Sequence, residues 1–221
     1  IVTATDVEFD IESQLEIFFD VPVLAQPTIS LPSETIIVDS FHNTSLSIDV
    51  INDGNGAQTY DLELVPPAGW DIGFEELGAF PGSKQGSTGT LGKGSNISAD
   101  ITIVPPGVKI DYGHTIVGQM LVKSRVGADV WSQDLNLVVG AYDSLSFTPE
   151  SGQSHEDILS DSLHEITLEI TNDGNRDLVL TPLVTQKPGG WSIASGLANF
   201  QVPKGDSVNW NLGIQGNGLA S

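Results

Sequence analysis

Leu46-Ser47-Ile48-Asp49-Val50-Ile51-Asn52-Asp53-Gly54-Asn55 recurs as Ile166-Thr167-Leu168-Glu169-Ile170-Thr171-Asn172-Asp173-Gly174-Asn175. Each copy alternates apolar and polar side chains, the period of a half-buried strand, and each closes on an Asp-Gly turn signal. A Pro/Gly-Trp step follows both, Pro66-Pro67-Ala68-Gly69-Trp70 in one and Pro188-Gly189-Gly190-Trp191 in the other. A module of about 120 residues is thus written twice, and repetition at a fixed period indicates an array of modules.

A third, partial copy opens the chain. Leu15-Glu16-Ile17-Phe18-Phe19 carries the alternation found one period later in Leu135-Asn136-Leu137-Val138-Val139. The expected division is residues 1–24 as closing strands of a preceding or neighbouring unit, 25–142 as a complete sandwich, and 143–221 as a second sandwich lacking its last two strands. Helical periodicity is almost missing, so the expected fold class is all-β: tandem antiparallel immunoglobulin-like β-sandwiches. Strands are expected near 26–31, 35–39, 45–52, 58–65, 69–74, 96–104, 115–124 and 130–140 in the first unit, with the Gly-rich stretch 82–94 as a surface connection. The second unit should repeat them near 145–148, 163–172, 177–185, 191–194, 198–202 and 207–214, and the opening segment supplies strands at 1–5 and 13–20. The junction near Tyr142-Asp143 has no Pro/Gly linker, so the units are expected to abut.

Composition excludes several functions. Twenty-nine acidic residues against eight basic ones give a formal charge of -21. That argues against nucleic acid and anionic membranes, which are held by clustered Lys and Arg. No apolar run is long enough to insert in a membrane. The chain has no cysteine, which excludes a disulfide-stapled scaffold. It begins with Ile1, as a processed or excerpted product would. Together these features point to an extracellular or cell-surface location.

Asn-x-Gly after an alternating strand, then a Tyr- or Leu-bearing strand and Pro-x-Gly-Trp, resembles the CARDB-type and related immunoglobulin-like modules. These families occur as tandem repeats on bacterial and archaeal surface proteins and beside the catalytic domains of secreted glycosidases. The resemblance implies a seven-stranded sandwich and no activity, and it carries no functional residue over.

Asp53, Asn55, Asp173 and Asn175 are the candidate calcium ligands, since hard cations need several oxygens. The spacing is not that of an EF-hand, and turn chemistry explains the same residues, so no cofactor beyond weakly bound calcium is expected. The loop acids Glu150, Glu156, Asp157 and Asp161 invite the same reading. Trp70 and Trp191 share one repeat position beside glycine and are expected to be packed, whereas Trp131 and Trp210 are the candidate carbohydrate contacts. Asn43 and Asn96 lie in glycosylation sequons. Glu75-Glu76 is a carboxylate pair, but adjacent residues on an extended chain face opposite ways. His42, His114, His155 and His164 have no zinc spacing, and no serine sits in a nucleophile elbow.

The sequence thus leads to a non-catalytic structural protein of a surface layer, stalk or filament. An alternative is a carbohydrate-binding or spacer module of a secreted glycoside hydrolase. The expected partners are copies of the chain itself or adjacent repeats, and cell-surface glycans. Leu15, Ile17 and Phe19 on one face of an opening strand suit inter-unit pairing by strand exchange.

Overall fold

The computed structural model describes residues 2–6, 11–75, 82–150, 162–187 and 189–216. The loop acids Glu156, Asp157 and Asp161, with Glu76 and His155, fall outside them. The described residues form β-structure throughout, and the segments of alternating sequence are the strands. In chain order these are β1 (Val2–Asp6), β2 (Ile11–Leu15), β3 (Pro27–Ser30), β4 (Ile36–Val38), β5 (Thr44–Asn52), β6 (Gln58–Val65), β7 (Asp71–Phe74), β8 (Gln85–Leu91) and β9 (Asn96–Val104). They continue as β10 (Thr115–Ser124), β11 (Val130–Val139), β12 (Leu145–Pro149), β13 (Leu163–Asn172), β14 (Leu178–Leu180), β15 (Trp191–Ser195), β16 (Phe200–Val202) and β17 (Ser207–Gly216).

The first sandwich sets the sheet β3-β5-β9-β7 against β4-β11-β10-β6-β8, an immunoglobulin-like arrangement. Ile48 and Val50 of β5, Ala99, Ile101 and Ile103 of β9, and Ile72 of β7 face Tyr60, Leu62 and Leu64 of β6. Met120 and Val122 of β10 with Leu135, Leu137 and Val139 of β11 complete the core. Each fully buried aliphatic or aromatic side chain contributes roughly 1.5–3 kcal/mol, so the strands β10 and β11 are a large part of what holds this unit together.

Beyond residue 142 the layout is β12-β13-β17-β15 with a separate two-stranded sheet β14-β16. The larger sheet follows the order of β3-β5-β9-β7. The smaller one stands where β6 and β8 stand in the first sandwich, with no counterpart of β10, β11 or β4 beside it among the described residues. The hairpin β1-β2 is a sheet of its own.

Two expectations are corrected here. The stretch 82–94 was expected to be a surface connection, yet it contains β8, which pairs with β6 through a register shift between Thr59 and Asp61. The Asn-Asp-Gly-Asn turn was expected to be a tight turn between neighbouring strands with positive φ at glycine. In fact β5 and β6 lie in different sheets, so the turn is a corner that crosses the core. Gly54 and Gly174 are absent from the positive-φ glycines. What they lack room for is a side chain, because an added Cβ would stand 2.2 Å from the Leu24 carbonyl oxygen and 2.6 Å from that of Tyr142 respectively.

Candidate functional site

Each corner is built on a buried asparagine. Asn52 donates from Nδ2 to the Gly56 and Leu91 carbonyls, both at 2.9 Å, and its Oδ1 accepts from the Gly54 N–H and the Tyr60 hydroxyl. Burial raises the Tyr60 phenol above its ordinary value, so it stays a donor. Asn172 repeats this with the Arg176 and Val202 carbonyls and the Gly174 N–H.

The candidate calcium residues are engaged with the protein itself. Asn55 accepts from the Leu24 N–H and donates to the Pro22 carbonyl, while Asp53 accepts from Thr28 Oγ1 at 2.5 Å. Asn175 accepts from the Tyr142 N–H and donates to the Ile110 and Gly140 carbonyls. Asp173 is exposed. No group of three or more acidic or histidine side chains is placed to hold a metal among the described residues. The geometry makes both turns mechanical fasteners, each gripping the chain that enters its sandwich.

At the second corner the grip extends to the preceding unit. The Tyr112 N–H donates to the Asn175 carbonyl, Lys204 pairs with Asp111 at 2.6 Å, and Arg176 lies 6.0 Å over the Tyr112 ring while forking onto Asp143. The hydrogen bond from Lys204 lowers the Asp111 carboxyl, and that from Arg176 lowers Asp143. The ionised form of each carboxylate is thus favoured in the folded state. Its contribution to the joint is present at neutral pH and lost as pH falls through the lowered value, below the ordinary 3.8. We expect the Tyr112 amide to keep its exchange protection from neutral pH to about pH 4 and to lose it below, an effect kept small by the exposure of these pairs. Amide exchange across an acid titration checks this, and protection that falls near neutrality would assign the joint to other groups, His114 and Lys109 being the nearest.

The other sequence candidates fall as follows. Asn43 and Asn96 are exposed, as a modified asparagine must be. Trp70 is buried in the first core and Trp191 half-buried at the matching start of β15. Trp131 is a correction: it packs against the core, edge-on to Tyr60 with ring centroids 6.4 Å apart. Trp210 also points inward, stacked on Phe200 with its indole N–H donated to the Gly196 carbonyl at 2.7 Å. Neither offers a free face to a sugar ring in the manner expected. The opening strand β2 ends at Leu15, whereas it was expected to run to residue 20. Ile17 and Phe19 lie past its end and are exposed.

The feature that sequence reasoning missed is the open face of the second unit. Of the fully buried apolar side chains, only Ile170 and Val202 come from beyond residue 142 among the described residues. Leu145, Phe147, Leu168, Ile170, Leu180 and Trp210 instead line a groove of about 330 Å³. Its β14 edge pairs with β16 on one side only. The ladder there spans Leu178 to Leu180, and the chain past it presents Leu183 at 81% exposure. An apolar face with a bare strand edge is a site for main-chain pairing.

No protein-family model matches this sequence. No curated protein matches it either. Among solved structures, the YadV chaperone is 11% identical over 88% of this chain and 87% of its own, with a TM-score of 0.36. The chaperone DraB of E. coli is 12% identical over 83% of each chain at 0.32. A chaperone–tip adhesin complex of CFA/I fimbriae biogenesis matches at 9% identity over 82% and 84% at 0.31. These neighbours are chaperones, not surface-layer, stalk or filament components and not glycosidase modules, so the expectation of such a role is overturned and dropped. The expected partnership with copies of itself is corrected in the same way, because the chain named beside the chaperone is a tip adhesin. At identities near a tenth, nothing of the neighbours' own activity transfers to this chain.

Proposed function

We propose that this is a non-catalytic polypeptide-binding protein acting outside the cytoplasm, built of tandem immunoglobulin-like units whose division follows the sequence repeat. The second unit receives an extended segment of a different protein by strand addition. The single observation that carries this reading is the apolar groove beside the one-sided β14 edge. The CARDB-type resemblance belongs to the same reading, as a statement about the kind of module. No cofactor is needed, and any calcium on so acidic a surface is held weakly.

The bound segment would alternate apolar residues facing Leu168, Ile170 and Leu180 with polar ones facing water. A charge of -21 favours lysine or arginine at the polar positions, and makes capture faster at low salt. Among the described residues no helix is long and apolar enough to cross a membrane. The acidic, cysteine-free composition supports the extracytoplasmic placement.

A dye-labelled alternating valine–lysine peptide of about ten residues, one strand's length, tests the reading by fluorescence anisotropy. Binding is expected for the alternating peptide and not for a scrambled one of equal composition. Leu183→Asp should weaken it at least tenfold. Equal binding of the scrambled peptide would reduce the effect to charge and sink the proposal.

A further inference from the structure

We infer that the groove accommodates two strands of its partner, an antiparallel hairpin, and not a single extended segment; this rests on the polypeptide-binding reading above. The first sandwich shows what a closed unit requires. There β10 lies antiparallel to β6, with Gln119 opposite Val65 and Ser124 opposite Tyr60, and β11 lies antiparallel to β10. Met120 and Val122 come from one strand and Leu135, Leu137 and Val139 from the other, all fully buried. One added strand would supply only the first set and would itself end in a bare edge. A hairpin supplies both sets from a single short segment, and its own turn brings the second strand in without a further closure cost.

The edge of β14 is prepared for this on one side. In the register set by Asn52 and Asn172, Leu180 stands where the first unit has Tyr60, and Pro182 where it has Leu62. The Tyr60 and Leu64 N–H groups donate toward β8, to Thr88 Oγ1 and the Lys84 carbonyl. Alternation sends the N–H of position 62 the same way and those of 61 and 63 toward β10. A proline at the matching position therefore removes a donor from the β16 side, where the ladder stops at Leu180. The donors of Thr181 and Leu183 are left for the open edge. Residues 181–187 have no strand pairing, so an incoming strand can extend β14 to the length that β6 reaches with β10.

The partner is a second polypeptide whose hairpin is apolar inward and cationic or neutral outward, as the net charge of -21 requires. Peptides of known pattern provide the probe: residues 115–139 of this chain, which span β10 and β11, against 115–124 and 130–139 separately and mixed. With dye-labelled peptides and the intact 221-residue chain, the joined hairpin is expected to bind at least tenfold more tightly than either strand or their mixture. Leu183→Asp should abolish the difference, and Val65→Asp on the closed unit should leave it unchanged. If 115–124 alone binds as tightly as the hairpin, one strand fills the groove and the hairpin inference is overturned while the binding function stands. If no peptide binds, both fail. Concentration-dependent self-association of the free chain, competed by the hairpin, would give the site to the chain's own strands and overturn the foreign partner.

Discussion

Replacing Asn52 by aspartate is expected to be the most damaging single-atom change in this protein. The substitution keeps the shape and removes the Nδ2 donor, so the Gly56 and Leu91 carbonyls, each 2.9 Å away, face a carboxylate. A buried acceptor left unsatisfied costs about 1–3 kcal/mol, and two of them with an uncompensated charge reach on the order of 4 kcal/mol. For a chain of this size that lowers the melting temperature by roughly 10 °C. The pH dependence gives the cause away. An aspartate there has its pKa raised above the unfolded value, so the penalty grows as pH rises through the unfolded carboxylate range and shrinks in acid, where the neutral acid donates one hydrogen bond. Denaturant unfolding at about pH 4 and pH 7, on either side of that range, measures it. A loss independent of pH would mean that shape, not the donor, is what the corner needs. Asn172→Asp should cost less, since no hydroxyl partner like Tyr60 is found at that corner among the described residues.

Most of the strand layout could be read from alternation, because in a sandwich each strand shows one face to a core. Val50, Leu62, Ile101 and Leu137 fall on the expected face, and counting back by twos from Leu135 places Trp131 inward as well. β8 escaped because Gln85-Gly86-Ser87-Thr88-Gly89-Thr90-Leu91 has almost no apolar period. It is a strand through its pairing with β6, and Gly86 is required where a Cβ would meet the Phe74 ring at 3.4 Å. The corner function of Asn52 and Asn172 was hidden for a different reason: Asn-Asp-Gly reads as a hairpin turn until the two flanking strands are seen in separate sheets. β14 was overestimated, since its sequence alternates past Leu180 but nothing pairs with it there. The groove follows from that missing ladder, a tertiary fact that local pattern does not contain.

The second large effect is an asymmetry between two tryptophans in matching places. Trp70 and Trp191 each follow a glycine at positive φ, 80° at Gly69 and 82° at Gly190, and each leads into the edge strand of a four-stranded sheet. The register agrees, with Ile72 opposite Ile103 and Ile193 opposite Ile214. Their surroundings differ: Trp70 is 7% exposed within a core closed by β10 and β11, whereas Trp191 is half-buried in a unit whose facing sheet has two short strands. Trp70→Ala should cost about 3–5 kcal/mol, the range for truncating a packed aromatic, and Trp191→Ala about 1–2 kcal/mol for partial burial. Urea unfolding of the two variants under identical conditions measures the difference. Equal costs would show that the second unit packs its tryptophan as tightly as the first, and the open face, with the binding function built on it, would have to be given up.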